Sequence, residues 1–255
     1  MDRIFKETKE ITIVKPDDLD KGRETSSNNS EVKKFEPYAD RWFDKDGPLK
    51  TLHDINPLRL RYIQDKITLS NTKVADIGCG AGILSESMYL HGATVHAIDL
   101  NQKLIEAGKA HALSNKLDIH YEVCSSKTFA AQQANEFDLV VCSELIEHVQ
   151  DIEGLLNDCR LLLKDNGILV ISTINRTFSA LIFAIIAAEK ILKIIPEGTH
   201  NHDQFVKPNE LVNLARNVGF DCQDVAGFSY NPFSRRAKFS TSLDINYFAT
   251  FTKFR

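Results

Sequence analysis

Short apolar runs alternate with amphipathic segments through the middle of the chain, a pattern that predicts an α/β fold. The runs are bounded by polar or glycine-containing turns, and the segments between them carry apolar residues at helical spacing. The predicted strands are 74–77, 94–98, 119–123, 138–142 and 168–173, and the predicted helices are 83–91, 103–115, 126–134 and 152–163. Because such helices join parallel strands, we expect the loops after the strands to lie on one side of the sheet.

Further elements are predicted on both sides of this core. Apolar residues at helical spacing follow Asn56-Pro57, so a helix is expected to begin at that pair. The last predicted elements are a helix at 208–218 and strands at 221–228 and 243–252. Because no helix is predicted between these two strands, we expect them to pair antiparallel across a long loop. The expected sheet therefore has seven strands, mostly parallel with one antiparallel strand, and helices on both faces.

Composition narrows the classes of partner. The 255 residues carry a net charge of −4 and 43% hydrophobic residues, so the chain can bury a full core and lacks the basic surface of nucleic-acid-binding proteins. No nucleic acid is expected as a partner. The five cysteines form no C-x-x-C pair, which favours reduced thiols over disulfides or a zinc site. Asp17, Asp18 and Asp20 are unlike a mitochondrial transit peptide, so a bacterial cytoplasmic protein is expected.

The most informative stretch is the glycine-rich turn after the first strand, KVADIGCGAG at 73–82. Glycines at 78, 80 and 82 carry no β-carbon, so a ligand can approach the backbone closely. Seventeen residues beyond Gly82, Asp99 ends the next predicted strand, where a carboxylate can accept hydrogen bonds from ribose hydroxyls. This order of features predicts the nucleotide-binding start of a Rossmann-like fold: a strand, a glycine turn, a helix and then an acid.

The spacing of the glycines favours S-adenosylmethionine (SAM) over a dinucleotide. A dinucleotide-binding turn follows G-x-G-x-x-G, because its helix begins under a pyrophosphate. This chain follows G-x-G-x-G, with Ile83 where the last glycine would fall. Together with Asp76, the pattern resembles the first motif of class I SAM methyltransferases, whose ligand has no phosphate.

A second polar group follows the fourth predicted strand, in SELIEHV at 143–149. Ser143 ends the strand, beside the expected adenosyl group. Glu144, Glu147 and His148 are spaced i, i+3 and i+4, so in a helix they would share one face. Two carboxylates and an imidazole can hold a divalent metal or accept a proton from a substrate hydroxyl. The same spacing also suits a polar helix start beside core residues, and the pattern alone leaves both interpretations open.

Several motifs together resemble the ubiquinone-biosynthesis O-methyltransferases. They are ADIGCGAGILSESM, SELIEHV, STINRT, PEGTH, YNP and DINYFAT, and the similarity extends from about residue 35 to the C-terminus. The resemblance implies a class I methyltransferase fold, with SAM as the methyl donor. It also implies methylation of a hydroxyl on a polyprenylated catechol at two steps of the pathway, and association with other ubiquinone-biosynthesis proteins.

The resemblance also assigns site residues by position. It implies SAM contacts at Arg59, Gly78, Asp99 and Ser143, and Asp76 and Gly80 complete the predicted cofactor-binding set. The candidate catalytic residues are Glu144, Glu147 and His148, which are also the implied ligands of a divalent metal such as magnesium. Imidazole suits zinc or manganese better than magnesium. Either a metal chelated by the catechol or a general base without metal would activate the hydroxyl, and the sequence does not choose between them.

The chain is expected to divide into three segments. Residues 1–34 are polar and predict a disordered extension. Residues 35–72 predict a helical segment that covers the SAM site. Residues 73–255 predict the methyltransferase domain, with an apolar helical insertion at about 176–208.

Within that insertion, the apolar run at 177–195 is too short and too often charged to span a bilayer. A buried core helix, a lid over an apolar substrate channel and an interfacial helix are all compatible with it. We expect binding to an anionic membrane surface through Lys190 and Lys193, and hence peripheral attachment to the bacterial inner membrane.

Three other functions are less favoured by the sequence. They are another small-molecule class I SAM methyltransferase, a nicotinamide-dependent oxidoreductase, and a non-catalytic scaffold of a membrane complex.

Overall fold

An eight-stranded sheet forms the centre of the structure, a computed structural model that describes residues 32–176 and 205–254. In chain order its strands are β1 (Lys73–Ile77), β2 (Thr94–Asp99), β3 (His120–Val123), β4 (Phe137–Ser143), β5 (Leu163–Ile174), β6 (Phe220–Asn231), β7 (Arg236–Ser240) and β8 (Asn246–Lys253). Their spatial order is β3-β2-β1-β4-β5-β8-β6-β7. Strands β1 to β5 are parallel, and β8 lies antiparallel between β5 and β6. The order reverses between β1 and β4, so a ligand crevice is expected at the carboxyl ends of these strands.

Helices cover both faces of the sheet. They are α1 (Lys50–Gln64), α2 (Ile83–Leu90), α3 (Gln102–Ser114), α4 (Ser126–Gln132), α5 (Ile152–Leu162) and α6 (Pro208–Asn217). Buried apolar residues of α1, α2 and α3 pack into one core cluster, and those of α4, α5 and α6 pack into another. Within the described ranges, no helix is long and apolar enough to cross a membrane. The predicted α/β architecture, with mostly parallel strands and two helical layers, is confirmed.

The predicted count of seven strands is wrong, because β7 forms inside the region expected to be a long loop. Residues Arg236–Ser240 pair antiparallel with the end of β6 as the edge strand of the sheet. Only Ala237 and Phe239 are apolar in this strand, so its sequence carries no run that would distinguish it from a polar loop. Edge strands are often short and charged, because this discourages pairing with other chains.

The predicted start of the first helix is also wrong. Helix α1 begins at Lys50, and Pro57 lies inside it. A proline within a helix removes one backbone hydrogen bond, here to the carbonyl of His53. Pro57 is on an exposed side of the helix, while Ile55, Leu58 and other apolar residues of α1 are buried. Packing of this apolar side therefore outweighs the preference of proline for the first turn of a helix.

The segment before and within α1 lies over the loop between β1 and α2. Ala39, Trp42 and Leu49 form a small buried cluster with Ala81 of that loop and Leu104 of α3. The segment is also tied to the turn between β6 and β7, where the Arg235 guanidinium donates to carboxylates of Asp46 and Asp54 and to the Lys45 carbonyl. Most of the predicted N-terminal extension and of the predicted apolar insertion lies outside the described residues.

Candidate active site

The loop after β1 is built from three glycines in left-handed backbone conformations. Gly78, Gly80 and Gly82 have φ values of 69°, 59° and 94°. A β-carbon on Gly80 would lie 2.5 Å from Cζ2 of Trp42, and one on Gly78 would lie 2.6 Å from Cδ1 of Leu145. Backbone conformation and packing therefore both exclude larger side chains at these two positions.

Asp99 holds this loop in place from the end of β2. Its Oδ2 accepts a 2.9 Å hydrogen bond from the Gly80 N–H, and its Oδ1 accepts a 2.8 Å bond from the Asn101 N–H. Burial raises the pKa of Asp99, and these backbone hydrogen bonds oppose the rise. A carboxylate oxygen has more than one acceptor site, so ribose hydroxyls can still be bound. Sequence reasoning anticipated the acceptor role and missed the structural one.

Asp76 is a buried acid in β1 that joins the strand to the first turn of α2. The Ser85 hydroxyl donates a 2.5 Å hydrogen bond to its Oδ2. Burial and the charge of Asp99 raise the pKa of Asp76 to about 6, and the Ser85 hydrogen bond and Arg59 oppose the rise. The ionised form is therefore held in the fold at an energetic cost.

Arg59 brings a buried positive charge from α1 to this group of acids. The residue is 6% exposed, and its guanidinium lies 3.3 Å from Oε1 of Glu144. Its Nε–H is buried and has no acceptor within the described part of the chain. Buried N–H donors are usually paired, so this one points to a missing acceptor.

Glu144 follows β4 in an unusual conformation, with a φ of 53°. Its N–H donates to the Ser172 carbonyl at 2.9 Å, and the Ser172 hydroxyl donates to its Oε1 at 3.0 Å. The Ser143 and Ser172 hydroxyls lie 2.9 Å apart on the paired ends of β4 and β5. A left-handed non-glycine residue costs on the order of 1–3 kcal/mol and persists only where its surroundings fix it, as they do here.

Glu147 is a buried carboxyl group near Glu144. It is 3% exposed, and the Thr173 hydroxyl donates to its Oε2 at 2.7 Å. Burial raises the pKa of Glu147 to about 8, and the negative charge of Glu144 contributes to the rise. A carboxyl group with a pKa in this range can take up and release a proton near neutral pH.

The three predicted metal ligands do not share a helical face. Residues Ile146–His148 form a short 3₁₀ turn, and the left-handed conformation of Glu144 excludes that residue from a helix shared with Glu147 and His148. The His148 ring instead meets the Phe35 ring edge-on, with centroids 5.9 Å apart. Among the residues that the structure describes, no three His, Cys, Asp or Glu side chains converge as metal ligands. The three side chains in this arrangement do not fit a divalent ion.

Sequence reasoning missed three residues of the site. Ser172 and Thr173 end β5 and orient Glu144 and Glu147 through their hydroxyls. The signal was present, since two hydroxyl residues follow a buried apolar run at the carboxyl edge of the sheet. Trp42 is the third, and it packs on Gly80.

Comparison with known sequences identifies similar proteins along most of the chain. A family model described as a methyltransferase domain matches residues 50–225. The ubiquinone biosynthesis O-methyltransferase of Xanthomonas euvesicatoria pv. vesicatoria (strain 85-10) is 42% identical over 227 residues, which cover 89% of this chain and 95% of that protein. The protein of the same name from Xanthomonas campestris pv. campestris (strain B100) is 42% identical over 231 residues, covering 90% and 97%.

Solved structures share the fold at low sequence identity. Magnesium protoporphyrin IX methyltransferase from Synechocystis PCC 6803 with bound SAH (S-adenosylhomocysteine) matches 89% of this chain and all of that chain, with a TM-score of 0.64 and 17% identity. A SAM-dependent methyltransferase from Thermotoga maritima, described as a possible histamine N-methyltransferase, matches 88% and 99%, with a TM-score of 0.65 and 14% identity. Both are class I methyltransferase folds.

Proposed function

Because the chain belongs to the ubiquinone biosynthesis O-methyltransferase family, we propose that it methylates a hydroxyl of a polyprenylated catechol, at both O-methylation steps of the pathway. It is a SAM-dependent O-methyltransferase by its methyltransferase domain and its relatives. The observation that carries the proposal is the acid pair Glu144 and Glu147 directly after β4. Leu145, between them, packs on Gly78 of the cofactor loop.

The residues around the glycine loop fit SAM. Gly78 and Gly80 carry no side chain, and Asp99 offers acceptors for the ribose. The Nε–H of Arg59, unpaired among the described residues, suits an anionic group such as the methionyl carboxylate. When bound, SAM supplies a methyl group already activated by its sulfonium. The main task of the protein is then to align the attacking oxygen with that methyl group.

The acid pair supplies what a catechol needs. A phenol is a poor nucleophile until its proton leaves, and Glu147 is a buried carboxyl group able to accept that proton. In its ionised form, Glu147 would accept the proton that the substrate hydroxyl loses during methyl transfer. Thr173 and Ser172 hold the two glutamates in place for this transfer.

Calorimetry tests the cofactor. We expect the protein to bind SAH with micromolar affinity or better and to bind NADH weakly or not at all, because the loop lacks the glycine spacing of a dinucleotide site. Binding of NADH alone would support an oxidoreductase and contradict the methyltransferase proposal.

Chelation tests the metal implied by the family. Because the three candidate ligands do not converge, we expect methyl transfer to a catechol to survive thorough treatment with EDTA. Loss of activity that magnesium or zinc restores would show that substrate and protein complete a metal site together.

We propose that the run at 177–195, which lies outside the described residues, binds the surface of the bacterial inner membrane from the cytoplasmic side. A polyprenyl substrate resides in the bilayer, so a docked enzyme could reach its ring. Replacing Ile182, Ile185 and Ile186 by aspartate should abolish binding to anionic liposomes and leave SAH affinity unchanged. Salt should weaken wild-type binding, because lysines contribute to it. A folded variant that still sediments with the liposomes would place membrane binding elsewhere.

A further inference from the structure

Trp42 is the only tryptophan in the chain, and it lies against the cofactor loop. It is 5% exposed and belongs to the buried cluster that joins the N-terminal segment to Ala81. Its Cζ2, Cη2 and Cε2 atoms lie 2.5 Å, 3.1 Å and 3.4 Å from where a β-carbon on Gly80 would be, so the six-membered ring of the indole packs on the loop. Since Cε2 is bonded to Nε1, the N–H group is next to this contact.

The indole N–H of Trp42 is an unpaired donor within residues 32–176 and 205–254. Trp42 Nε1 is fully buried, and no acceptor lies within hydrogen-bonding distance among the described residues. Buried tryptophans usually pair this donor, because desolvating it without an acceptor is unfavourable. The Trp42 carbonyl, by contrast, is 2.8 Å from Nε2 of His53. Among the described residues, the indole N–H is therefore the unsatisfied polar group of Trp42.

A second unpaired donor comes from the same N-terminal segment. Among the described residues, the Nε–H of Arg59 is also buried without an acceptor, and the Arg59 guanidinium contacts Glu144, whose neighbour Leu145 packs on Gly78. One donor is therefore beside Gly80 and the other is on the Gly78 side of the loop. Because neither donor meets an acceptor in the described part of the chain, a ligand bound at the loop can supply one.

SAM has one anionic group, the methionyl carboxylate, at the end of the molecule opposite the ribose. Resting on the proposed function, and with the ribose assigned to Asp99, we propose that the Trp42 Nε1–H donates a hydrogen bond to this carboxylate, with the Arg59 Nε–H as a second donor. Trp42 is then a cofactor-binding residue, and the N-terminal segment both covers the loop and recognises the amino-acid end of SAM.

Two ligands isolate this hydrogen bond. SAH carries the carboxylate, whereas 5′-methylthioadenosine keeps the adenosine and the thioether and lacks the amino-acid part. In the Trp42→Phe variant an aromatic ring remains on Gly80 and the N–H is lost. Calorimetry should show SAH binding weakened about ten-fold or more, and binding of 5′-methylthioadenosine changed less than two-fold. Tyr38→Phe, which removes a hydroxyl from the same segment, should leave both affinities unchanged. Unchanged SAH affinity in Trp42→Phe, or equal weakening of both ligands, would overturn the proposal.

A spectroscopic measurement on the wild-type protein does not depend on the folding of any variant. A single tryptophan gives a single indole N–H signal in a ¹⁵N-correlated NMR spectrum. Addition of SAH should move this proton signal downfield, as expected for a new hydrogen bond to a carboxylate, and 5′-methylthioadenosine should move it much less. A signal that stays in place while the Gly80 amide shifts would overturn the inference and leave the proposed function intact. Absence of binding by either ligand would instead overturn the proposed function.

Discussion

Replacement of Glu147 by glutamine is expected to lower kcat for methyl transfer by about 10²- to 10⁴-fold, the usual contribution of a positioned general base. Glutamine has nearly the same shape, and its Oε1 can still accept the Thr173 hydrogen bond. What it cannot do is take the proton from the substrate hydroxyl. SAH affinity should be unchanged, because the cofactor loop is held by Asp99 and the glycines.

The measurement compares initial rates on a catechol carrying a short prenyl chain with SAH calorimetry on the same samples. Glu153→Gln removes an exposed carboxylate from the first turn of α5 and is the matched control. A Glu147→Gln enzyme that keeps more than a tenth of the wild-type rate would exclude Glu147 as the proton acceptor. Glu144→Gln would then be the next variant. If the wild-type protein binds SAH but methylates no catechol, the result would favour the alternative of a non-catalytic scaffold of a membrane complex.

The sequence was sufficient to predict the parts of the fold in which one strong local pattern decides the structure. Strands β1, β2, β4 and β5 are rich in buried apolar residues, and the glycine loop needs conformations that few other residues adopt. The helices after them have amphipathic spacing and clear ends. These features depend on neighbouring residues alone, so a single sequence contains them.

The remaining features depend on contacts between distant segments. Glu144 adopts a left-handed conformation only because Ser172 and Arg59, far away in the sequence, hold its backbone and carboxylate. That conformation prevents the helix that would have aligned Glu144 with Glu147 and His148. The spacing suggested a metal-binding face, and long-range packing produced a pair of separately bonded acids instead.

Asp76 should make the protein less stable as the pH rises from about 4 to about 6, the reverse of the usual behaviour of a carboxylate. Burial raises its pKa from 3.8 in the unfolded chain to about 6 in the fold. Between these values the folded state binds more protons than the unfolded state, so the free energy of unfolding falls as pH increases. The difference between the two pKa values lowers the free energy of unfolding by about 3 kcal/mol once the pH exceeds both.

Asp76→Asn removes this titration and keeps a group that can accept the Ser85 hydrogen bond. Urea unfolding is measured at a series of pH values. Between pH 4 and pH 7 the free energy of unfolding of the variant should rise by about 3 kcal/mol relative to that of wild type. Comparing the variant with wild type cancels the contributions of groups that titrate in both proteins, including Glu147. Ser85→Ala removes a hydrogen bond that favours the ionised form, so it should move the transition to higher pH.

The free energies of unfolding of the two proteins could instead differ by the same amount at every pH. Asp76 would then be ionised in the fold at no cost, contrary to its burial. If the pH-dependent difference appears, the charge destabilises the protein at neutral pH. Such a cost is typical of functional sites, where stability is traded for activity. Asp76 lies beside Arg59 and at the base of the glycine loop, so the stabilised Asp76→Asn variant should bind SAM, whose sulfonium is cationic, more weakly than wild type.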